Sequence, residues 1–540
     1  MQTLYYNGDI ITMENENDHP EAVLVENGKI AAVGDLTSVQ AKKDADCTLI
    51  DLEGKTLMPS FIDGHGHIVM ASSQYGTKVD LEGTRNFDEI VERLKAFIAE
   101  NNIPAGQPVA GYAYDHNFLE EGRHPDKKVL DRASAVHPIV ISHTSGHIGC
   151  ANSLALERAG INENTPDPQG GSIDRYPGTN EPSGYLEEAA IMMATGANEV
   201  LNNDPEGLLV KVQDLYAANG VTTAQDGATA GDALALMRKA GDDGRLKIDM
   251  VAYPMPMGLN GQDELTPVME KNADINGTYK NHVKIGGYKV VLDGSPQGKS
   301  AWMSEPYEDS GDYRGYPWLT DEQLHTSIRR ALTDGQQLLT HCNGDASAQQ
   351  LLDIYEEELA LSDHPDKDSL RPVMIHCQTV REDQLDRMQK LEMIPSIFVC
   401  HTWYWGDIHL KNFGEKRGRR ISPVRSALDR GLVYNFHTDT PVTQPKMLHT
   451  VWTAVNRMTR SGAEIGPEQC IGVYDALKGI TINAAYSYFE EDSKGSIKEG
   501  KRADLVILDK NPLKVDKMAI RDINVLETIK DGVTIYKADQ

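Results

Sequence analysis

Short apolar runs that alternate with polar residues lie near both ends of the chain. They are LYYNGDIITM, AVLVENGKIAAVG and TLIDLEGKTLMPS in the first part, and ADLVILDKNP and NVLETIKDGVTIY in the last part. A period of two predicts strands with one buried face, and the Asn-Gly pairs in NGD and NGK predict hairpin turns. We expect one small β-sandwich assembled from residues 1–58 and 493–540, with two independent terminal domains as the alternative.

Between residues 205 and 492 the pattern changes to strands that are each followed by a helix. The strand-like runs are GVTTAQDG, LKIDMVAYP, VKIGGYKVVLDG, QQLLTHCNGD, RPVMIHCQ, MIPSIFVCH and GLVYNFHTD. Together with LMPSFIDGHGH, which places a first strand within 59–80, they make eight strand–helix units. This count predicts an α/β fold, a (β/α)8 TIM-like barrel. An open doubly wound sheet is the alternative, but the glycine-rich turn expected after its first strand is missing.

Residues 81–204 interrupt the predicted barrel after its first strand. They mix helical and extended patterns with NENTPDPQGGSIDRYPGTNEPSG, a stretch rich in Gly, Pro and Asp. Such residues favour turns and loops over regular elements. We interpret this segment as an inserted cap domain over the mouth of the barrel.

Length and charge narrow the class of protein. The chain has 540 residues, enough for a large barrel with extra domains. Its net charge of −28 disfavours nucleic acids and anionic membranes as partners. No apolar run approaches the ~20 residues of a membrane span, and the N-terminus lacks a signal-peptide pattern. Six scattered cysteines without a CxxC pair favour reduced thiols, so we expect a cytoplasmic protein.

The segment DGHGH carries the strongest chemical signal. His65 and His67 end the first predicted strand two positions apart, so their side chains point to the same face. His341, His376 and Asp439 end three later predicted strands, at the face where barrel enzymes carry catalytic residues. An HxH pair alone is weak evidence, since two histidines can simply pack. Four histidines and an aspartate at strand ends predict a site for zinc, manganese or iron.

Three neighbours of these residues need a separate interpretation. Cys342 and Cys377 directly follow two of the histidines, and thiolates are good zinc ligands. Strand alternation turns both thiols away from the face of the histidines, so we interpret them as packing residues. His437 shares the inward face with Asp439, and we interpret it as an inward-facing polar residue in preference to a further ligand.

Lys289 lies inside the apolar strand GGYKVVLDG. A lysine there is costly unless it is neutral, paired or functional. If carbon dioxide carboxylated its amine, the carbamate would bridge two metal ions about 3.5–4 Å apart. On composition alone, a strand-end lysine that reaches solvent is the better explanation.

Motifs along nearly the whole chain resemble one family. They are LMPSFIDGHGHI, SGHIGCANSLALERAGI, PSGYLEEAA, GVTTAQDG, YKVVLDGSPQGKSAWMSEPY, THCNGDASAQQLL, RPVMIHCQTVREDQLDRM, FHTDTPV and GSIKEGKRADLVILDKNP. The sequence is thereby similar to the amidohydrolase superfamily, in the group that resembles N-substituted formamide deformylase (amidohydrolase family 3). It departs from the family pattern at Cys342, Cys377 and Thr438, where alanine or serine is more frequent, and in NFHTDTP. None of these changes removes a ligand.

The resemblance implies a metal centre of defined composition. It implies two Zn²⁺ ions per chain bridged by carboxylated Lys289, and Asp439 as the residue that contacts the first ion and moves the proton. The ligands it implies are His65 and His67 for the more buried ion, and His341 and His376 for the second.

The activity implied is hydrolysis of a non-peptide C–N bond in a small molecule, such as an N-formyl or N-acyl amine. A mononuclear deaminase of a heterocycle is the second reading, since such enzymes share the histidines and the aspartate but lack the bridging lysine. A non-catalytic regulatory protein on the same barrel is the third. Members of the superfamily form homo-oligomers, but nothing in this sequence fixes the oligomeric state.

Loops at the predicted barrel mouth would determine the choice of substrate. They carry four aromatic residues that together could form an apolar wall around an N-substituent, Trp302, Tyr307, Trp403 and Trp405. Anchoring of the long loops is an equally good explanation for each of them. His147, in SGHIGCAN, is a further candidate for substrate contact, and ordinary hydrogen bonding within the inserted segment explains it equally well.

Overall fold

The structure is a computed structural model that describes residues 2–144, 148–168, 171–198, 200, 204–256 and 265–539. The chain divides into two compact units. The first unit comprises residues 1–69 and 209–540, and the second unit comprises residues 70–208. The second unit contains the whole segment that the sequence predicts as an insertion.

The strands are numbered in chain order. Those before residue 70 are β1 (Gln2–Tyr6), β2 (Asp9–Ile10), β3 (Ala22–Glu26), β4 (Lys29–Gly34), β5 (Thr48–Asp51), β6 (Thr56–Pro59) and β7 (Phe61–Ile62). Those of the second unit are β8 (Lys78–Asp80), β9 (Val109–Tyr114), β10 (Ile139–His143), β11 (Ile148–Ala151), β12 (Gly171–Arg175) and β13 (Pro182–Glu188). Those after residue 208 are β14 (Val221–Thr229), β15 (Asp249–Pro254), β16 (Val283–Ile285), β17 (Gly287–Val291), β18 (Gln337–Cys342), β19 (Val373–His376), β20 (Ile394–Ile397), β21 (Asn435–Phe436), β22 (Leu505–Leu508), β23 (Val525–Lys530) and β24 (Val533–Lys537).

The α-helices follow the same order. The helices that start before residue 208 are α1 (Leu36–Gln40), α2 (Ile68–Thr77), α3 (Phe87–Glu100), α4 (Lys127–Asp131), α5 (Ser153–Arg158), α6 (Ala189–Ala197) and α7 (Pro205–Ala218). Those that follow are α8 (Gly231–Asp242), α9 (Leu265–Lys271), α10 (Asp321–Thr333), α11 (Asp345–Leu361), α12 (Glu382–Lys390), α13 (His401–Gly418), α14 (Val424–Asp429), α15 (Met447–Asn456), α16 (Val473–Lys478) and α17 (Ile482–Ser487). Short 3-10 helices are His116–Phe118, Ala273–Ile275, Lys367–Ser369, Pro467–Gln469 and Lys517–Asp522.

Strands from both ends of the chain share one sheet in the first unit. Its order is β2-β6-β22-β23-β24, and β6 pairs antiparallel with β22. A second sheet, β4-β3-β1-β5, is made by the N-terminal part alone. One apolar cluster takes residues from both sheets, including Val23 and Ile30 from one and Leu57, Leu505 and Ile529 from the other. Alternating apolar positions therefore bury one face of each sheet against the other.

The two Asn-Gly turns differ in what they connect. Asn27 and Gly28 both have positive φ, 49° and 79°, and join β3 to β4 in the two-residue hairpin that this pair favours. Asn7 also has positive φ, but the strands on either side of it, β1 and β2, lie in different sheets. The predicted NGD hairpin is thus wrong. Both edges of β1 are already paired, with β3 and β5, so β2 has no edge of β1 to join.

Parallel strands separated by helices form the rest of the first unit. They lie in two sheets, β16-β15-β14-β7 and β17-β18-β19-β20-β21, which contain every strand predicted between residues 205 and 492. Gly286 lies between β16 and β17, and a Cβ there would be 2.6 Å from the Tyr253 hydroxyl. At the other end of the two sheets, the Gly64 amide donates to the Phe436 carbonyl over 3.1 Å.

One apolar cluster joins the two parallel sheets. It includes Ile62, Val251 and Tyr253 from the first sheet, and Leu339 and Ile375 from the second. Because all the strands are parallel, their carboxyl ends lie on one side of this core. The residues that follow the strands are therefore brought together.

The second unit is a mixed sheet with helices. Its strand order is β12-β13-β11-β10-β9-β8, in which β8, β9 and β10 run parallel and the others antiparallel. Its core includes Leu81, Ile90, Leu94, Ile139 and Ile141. In neither unit does a described helix have the length and apolar character that crossing a membrane requires.

Candidate metal centre

Two turns that follow β7 and β21 are joined by backbone hydrogen bonds. The Asp439 amide donates to the His65 carbonyl over 3.0 Å, and the His67 amide donates to the Thr440 carbonyl over 2.7 Å. These bonds fix the spacing between residues that are more than 370 positions apart in the sequence. The aspartate and the HxH pair are thereby held side by side.

The buried carboxylate of Asp63 reinforces this junction. It accepts hydrogen bonds from the Thr438 amide (3.1 Å) and the Thr438 hydroxyl (2.5 Å). Burial raises the pKa of Asp63 to about 7, although these hydrogen bonds act to lower it. The first residue of DGHGH is therefore a structural acceptor that holds the β21 turn.

Four predicted site residues converge at this junction. Asp439 Oδ1 lies 3.4 Å from His67 Nε2 and 3.6 Å from His65 Nε2. Lys289 Nζ lies 3.2 Å from His65 Nε2. Ligand atoms at about 2.0–2.2 Å from a tetrahedral ion lie about 3.3–3.6 Å apart. The spacing of the two histidines and the aspartate therefore fits a shared divalent cation.

The surroundings and backbone conformation of Asp439 also fit a bound cation. Its Oδ1 is buried and makes no hydrogen bond to any part of the chain that the structure describes. A buried carboxylate oxygen without a partner is costly. The residue also has φ of 53°, in the left-handed region that non-glycine residues rarely adopt and that often marks functional sites. A metal ion bound between Asp439 and the two histidines would supply the missing partner.

Gln225 fixes the orientation of the His65 ring. Its Nε2 donates to the Gly64 carbonyl (3.2 Å) and to the Tyr488 hydroxyl (3.0 Å), which turns its Oε1 towards His65 Nδ1 at 2.5 Å. Nδ1 therefore carries the proton, and Nε2 presents a lone pair to the metal position. Gly227 leaves room for this ring, since a Cβ there would be 2.4 Å from His65 Cε1.

His341 and His376 form a second pair beside the first. Their ring centroids are 4.5 Å apart at 77°, and the His376 ring is 5.7 Å from that of His65. His376 Nδ1 is 3.1 Å from His437 Nε2, and His437 Nδ1 is 2.8 Å from the Ser396 hydroxyl. His437 is thus an inward-facing residue that orients a predicted ligand. Burial lowers the pKa of His341 to about 3 and that of His376 well below its usual range, so both imidazoles are neutral, the form that binds metals.

Asp293 lies beside a predicted ligand, and the sequence did not point to it. Its Oδ1 is 3.8 Å from His341 Nε2, and that nitrogen is 3.0 Å from Asn343 Nδ2. Burial raises the pKa of Asp293 to about 6, although its hydrogen bonds act to lower it. The donors to its two oxygens are the amides of Trp302, Asn343 and Gly344 and the hydroxyl of Ser347. The only signal in the sequence was an aspartate at the end of VVLDG, four residues after Lys289.

Lys289 is buried, with 1% of its surface exposed. The alternative of a lysine that reaches solvent is therefore wrong. Within the described residues, no carboxylate oxygen lies within ion-pairing distance of Nζ. Burial lowers the pKa of Lys289 to about 7, while the charge of Asp439 acts to raise it. A substantial share of the amine is therefore neutral at physiological pH.

Comparison with known proteins identifies the family. Residues 48–536 match the amidohydrolase family. The chain belongs to this family. It is 29% identical over 98% of its length to N-substituted formamide deformylase from Arthrobacter pascens, of which it covers 97%. As an amidohydrolase, it is a metal-dependent hydrolase that acts on C–N bonds other than peptide bonds.

Solved structures support the fold of this amidohydrolase. A metal-dependent hydrolase from Pyrococcus furiosus superposes with a TM-score of 0.73 at 23% identity, over 95% of this chain and 100% of the other. A metal-dependent hydrolase from Pyrococcus horikoshii gives 0.72 at 24% identity, over 96% and 99%. The family implies a TIM barrel with an additional domain, in agreement with the parallel sheets of the first unit.

The two cysteines beside the histidines are buried in this amidohydrolase. The Cys342 thiol lies 3.7 Å from the Gly344 carbonyl, and the Cys377 thiol lies 3.4 Å from the Met374 carbonyl. Burial raises the pKa of both thiols, which disfavours thiolates. They are packing residues, as alternation along the strands predicts.

Two of the predicted substrate contacts pack against other aromatic rings. Tyr307 is buried, donates its hydroxyl to the Ala301 carbonyl (2.7 Å) and stacks on Phe413 at 5.3 Å. Trp403 packs edge-to-face on Trp452 at 5.2 Å. Tyr307 has the loop-anchoring surroundings that the sequence left open as the alternative. Trp403 packs in the same way but lies in α13, so the predicted loop position is wrong for it.

The other two tryptophans lie near the candidate metal centre without a contact, within the described residues, between either indole ring and a predicted ligand. The Trp302 amide donates to Asp293, the carboxylate beside His341. The Trp405 ring lies 6.2 Å from that of Phe398, which in turn lies 6.1 Å from the His376 ring. His147, the remaining candidate, lies outside the described residues.

Replacement of Gln225 by leucine tests how His65 is oriented. We expect Gln225→Leu to weaken metal binding about 10- to 100-fold, because His65 loses the acceptor that fixes its tautomer. The measurement is competition with a chelator, followed by metal analysis. The control is Gln213→Leu, which removes a buried glutamine whose Oε1 accepts from the Lys247 amide. Equal metal affinity in both variants would argue against this role for Gln225.

Proposed function

We propose that this amidohydrolase is a binuclear zinc enzyme that hydrolyses the amide bond of a small N-formyl or N-acyl amine. The observation that carries the proposal is the position of Asp439 Oδ1, which lies within 3.6 Å of both HxH imidazoles and is buried without a hydrogen bond to the described chain. The full-length similarity to a formamide deformylase favours this class of substrate.

Six side chains would hold the two ions. The proposed ligands are His65, His67 and Asp439 for one ion, His341 and His376 for the other, and Lys289 as the bridge. Lys289 becomes a bridge if its neutral amine adds to carbon dioxide, forming an N–C bond and releasing a proton. Its burial, its lowered pKa and the short distance to His65 support this step. The product is a carbamate with two anionic oxygens.

The chemistry assigns one role to Asp439. Bound divalent ions supply a water of lowered pKa and polarise the carbonyl of the amide. The Asp439 carboxylate accepts the proton that the attacking water releases. The carboxylic acid so formed then gives this proton to the amine nitrogen as the C–N bond breaks. Its backbone link to His65 keeps it in place for both transfers.

Histidines in this site orient and do not shuttle protons. His65, His341 and His376 are neutral because burial lowers their pKa values. Each also has a ring nitrogen close to a fixed partner, which is Gln225, Asn343 or His437 respectively. Their proposed role is therefore to bind the ions, while Asp439 moves the proton.

Trp302 and Trp405 are the proposed contacts for the N-substituent. Both are partly exposed, and both are linked to residues beside the second histidine pair. An apolar substituent would pack against these rings. Tyr307 is assigned to loop anchoring, and Trp403 to packing on Trp452.

The proposal extends to the fold. The two parallel sheets would close as one (β/α)8 barrel through Gly286 at one junction and the Gly64–Phe436 bond at the other. The sheets made from both chain ends would form a β-sandwich. The shared apolar clusters support both statements.

A mononuclear deaminase is the second candidate. The observation in its favour is that, among described residues, His65, His67 and Asp439 are the members of this centre whose ligand atoms all lie within 4.8 Å of one another. Metal counting separates the two functions. About two ions per active chain support the binuclear enzyme, and full activity with about one ion supports the deaminase.

A hydrolysis screen tests the proposed substrate class. The zinc-loaded protein is tested against N-formyl amines, N-acyl amino acids, cyclic amides, lactones and aminated heterocycles. We expect release of an amine from N-formyl or N-acyl amines, with a higher kcat/KM for apolar N-substituents. Ammonia release from heterocycles alone would support the deaminase, and no turnover of any compound would favour a non-catalytic role.

A further inference from the structure

A second cluster of possible metal ligands lies in the second unit. His116 Nδ1 is 3.2 Å from His143 Nε2, and Asp115 Oδ1 is 3.4 Å from that same nitrogen and 4.0 Å from His116 Nδ1. All three ligand atoms lie within 4.8 Å of one another. None of these residues belongs to the centre built around His65.

An irregularity in the sheet brings these residues together. Gly111 pairs with Ile141, whereas Tyr114 pairs with His143, so two residues of β9 oppose one residue of β10. One of the two, Ala113, has φ of 64°, in the left-handed region. A bulge of this kind redirects the chain and is frequent beside functional sites. Here it places the residues that follow β9 next to the last residue of β10.

The nitrogen shared by the two contacts favours a metal site over a chain of hydrogen bonds, although the His116–His143 contact is itself of hydrogen-bond length. Ligands of one tetrahedral ion lie about 3.3–3.6 Å apart, and the three measured separations bracket this range. A hydrogen-bonded His–His–Asp chain would use different nitrogens of the middle ring. In this cluster His143 presents the same nitrogen, Nε2, to both Asp115 and His116.

The ring of a third histidine, His124, packs against His116. The His124 ring stacks on it with centroids 3.9 Å apart, and His124 Nδ1 is 3.0 Å from the Tyr114 hydroxyl. The cluster is accessible, because the side chains of Asp115 and His116 are 16% and 28% exposed.

We propose that Asp115, His116 and His143 form a second, independent binding site for a divalent transition metal, with Zn²⁺ as the best match. Two imidazoles and one carboxylate are a ligand set suited to zinc, and sites with three protein ligands leave a coordination position open. The bound ion would tie the end of β9 to the end of β10. The proposal does not depend on the substrate of the enzyme.

Zinc analysis of variants tests this site. The probe is Zn²⁺ alone, added to full-length metal-free protein and then competed with a weak chelator. We expect His116→Ala/His143→Ala to retain about one zinc equivalent less than the wild type. His137→Gln is the matched control, since His137 is a buried histidine of the same unit that bonds Ser134 and the Ile103 carbonyl. Equal zinc content in the double variant and the control would overturn the proposal.

A second measurement does not require any variant to fold. Crystals of the wild-type protein with Zn²⁺ are examined for anomalous scattering at the zinc edge. A peak between His116 and His143, in addition to those at the His65 centre, supports the proposal. Anomalous peaks confined to the His65 centre overturn it. Thermal melting adds a third readout, since Zn²⁺ should raise the Tm of the wild type and of His137→Gln by more than the Tm of His143→Gln.

Discussion

Asp439→Asn is expected to bind its metal ions and to lose nearly all activity. Asparagine keeps the size and one carbonyl oxygen of the side chain but cannot accept the proton from water. General acid–base catalysis contributes about 100- to 10,000-fold, so kcat should fall within that range. The measurement is kcat with the substrate that the screen identifies, together with the zinc content of the same sample.

The leaving group distinguishes proton transfer from a structural defect. An anilide leaves more readily than an alkylamide because its nitrogen needs less protonation. The defect of Asp439→Asn should therefore be smaller for an activated anilide than for an alkylamide. An equal defect for both compounds, or kcat within about tenfold of the wild type, would contradict the assigned role.

Much of the fold follows from the periodicity of the sequence. Runs such as QQLLTH and RPVMIH are short, apolar and followed by helical patterns, and each forms a strand in a parallel sheet. The prediction of a hairpin at NGD was wrong because a turn signal determines local geometry and not the pairing of the strands around it. Whether β2 joins β1 depends on β3 and β5, which take both edges of β1.

The residues proposed as metal ligands were predictable, and the residues that contact them were not. His341 and His376 lie at the ends of β18 and β19, His65 and His67 lie in the turn after β7, and these ends converge in a parallel fold. Gln225 and His437 contact histidines that are distant from them in the sequence. The hydrogen-bond partners of Asp293 begin nine residues away, at Trp302. Side-chain type alone does not reveal such contacts.

The aromatic residues show the same limit. Trp302, Tyr307, Trp403 and Trp405 are all large rings that follow predicted strands, and the sequence gives them equal weight. Trp403 and Trp405 lie in α13 and not in a loop, which corrects that part of the prediction. Packing separates Tyr307, which is buried and stacks on Phe413, from the three tryptophans, which are partly exposed. The cluster of Asp115, His116 and His143 depends on a bulge in β9, which no pattern of residues in the sequence predicts.

Lys289→Ala is expected to lose about half of the bound zinc and to lower kcat by about a thousandfold or more. The reason is that the proposed carbamate supplies a ligand to both ions, so its loss weakens the second ion most. The measurements are zinc content and kcat, with ¹³C-labelled bicarbonate added to the wild type to detect the carbamate carbon by NMR.

Chemical rescue provides the matched control. Lys289→Ala leaves a space in the buried core that acetate or propionate can enter, and a carboxylate there can bridge the two ions as the carbamate would. Lys289→Met removes the same amine but fills the space, so it should show no rescue. If the short acids restore neither zinc nor activity in the alanine variant, and the wild type shows no carbamate resonance, the lysine is not a bridge. The buried amine would then act only as a neutral neighbour of His65, and the centre would hold its ions through histidine and aspartate alone.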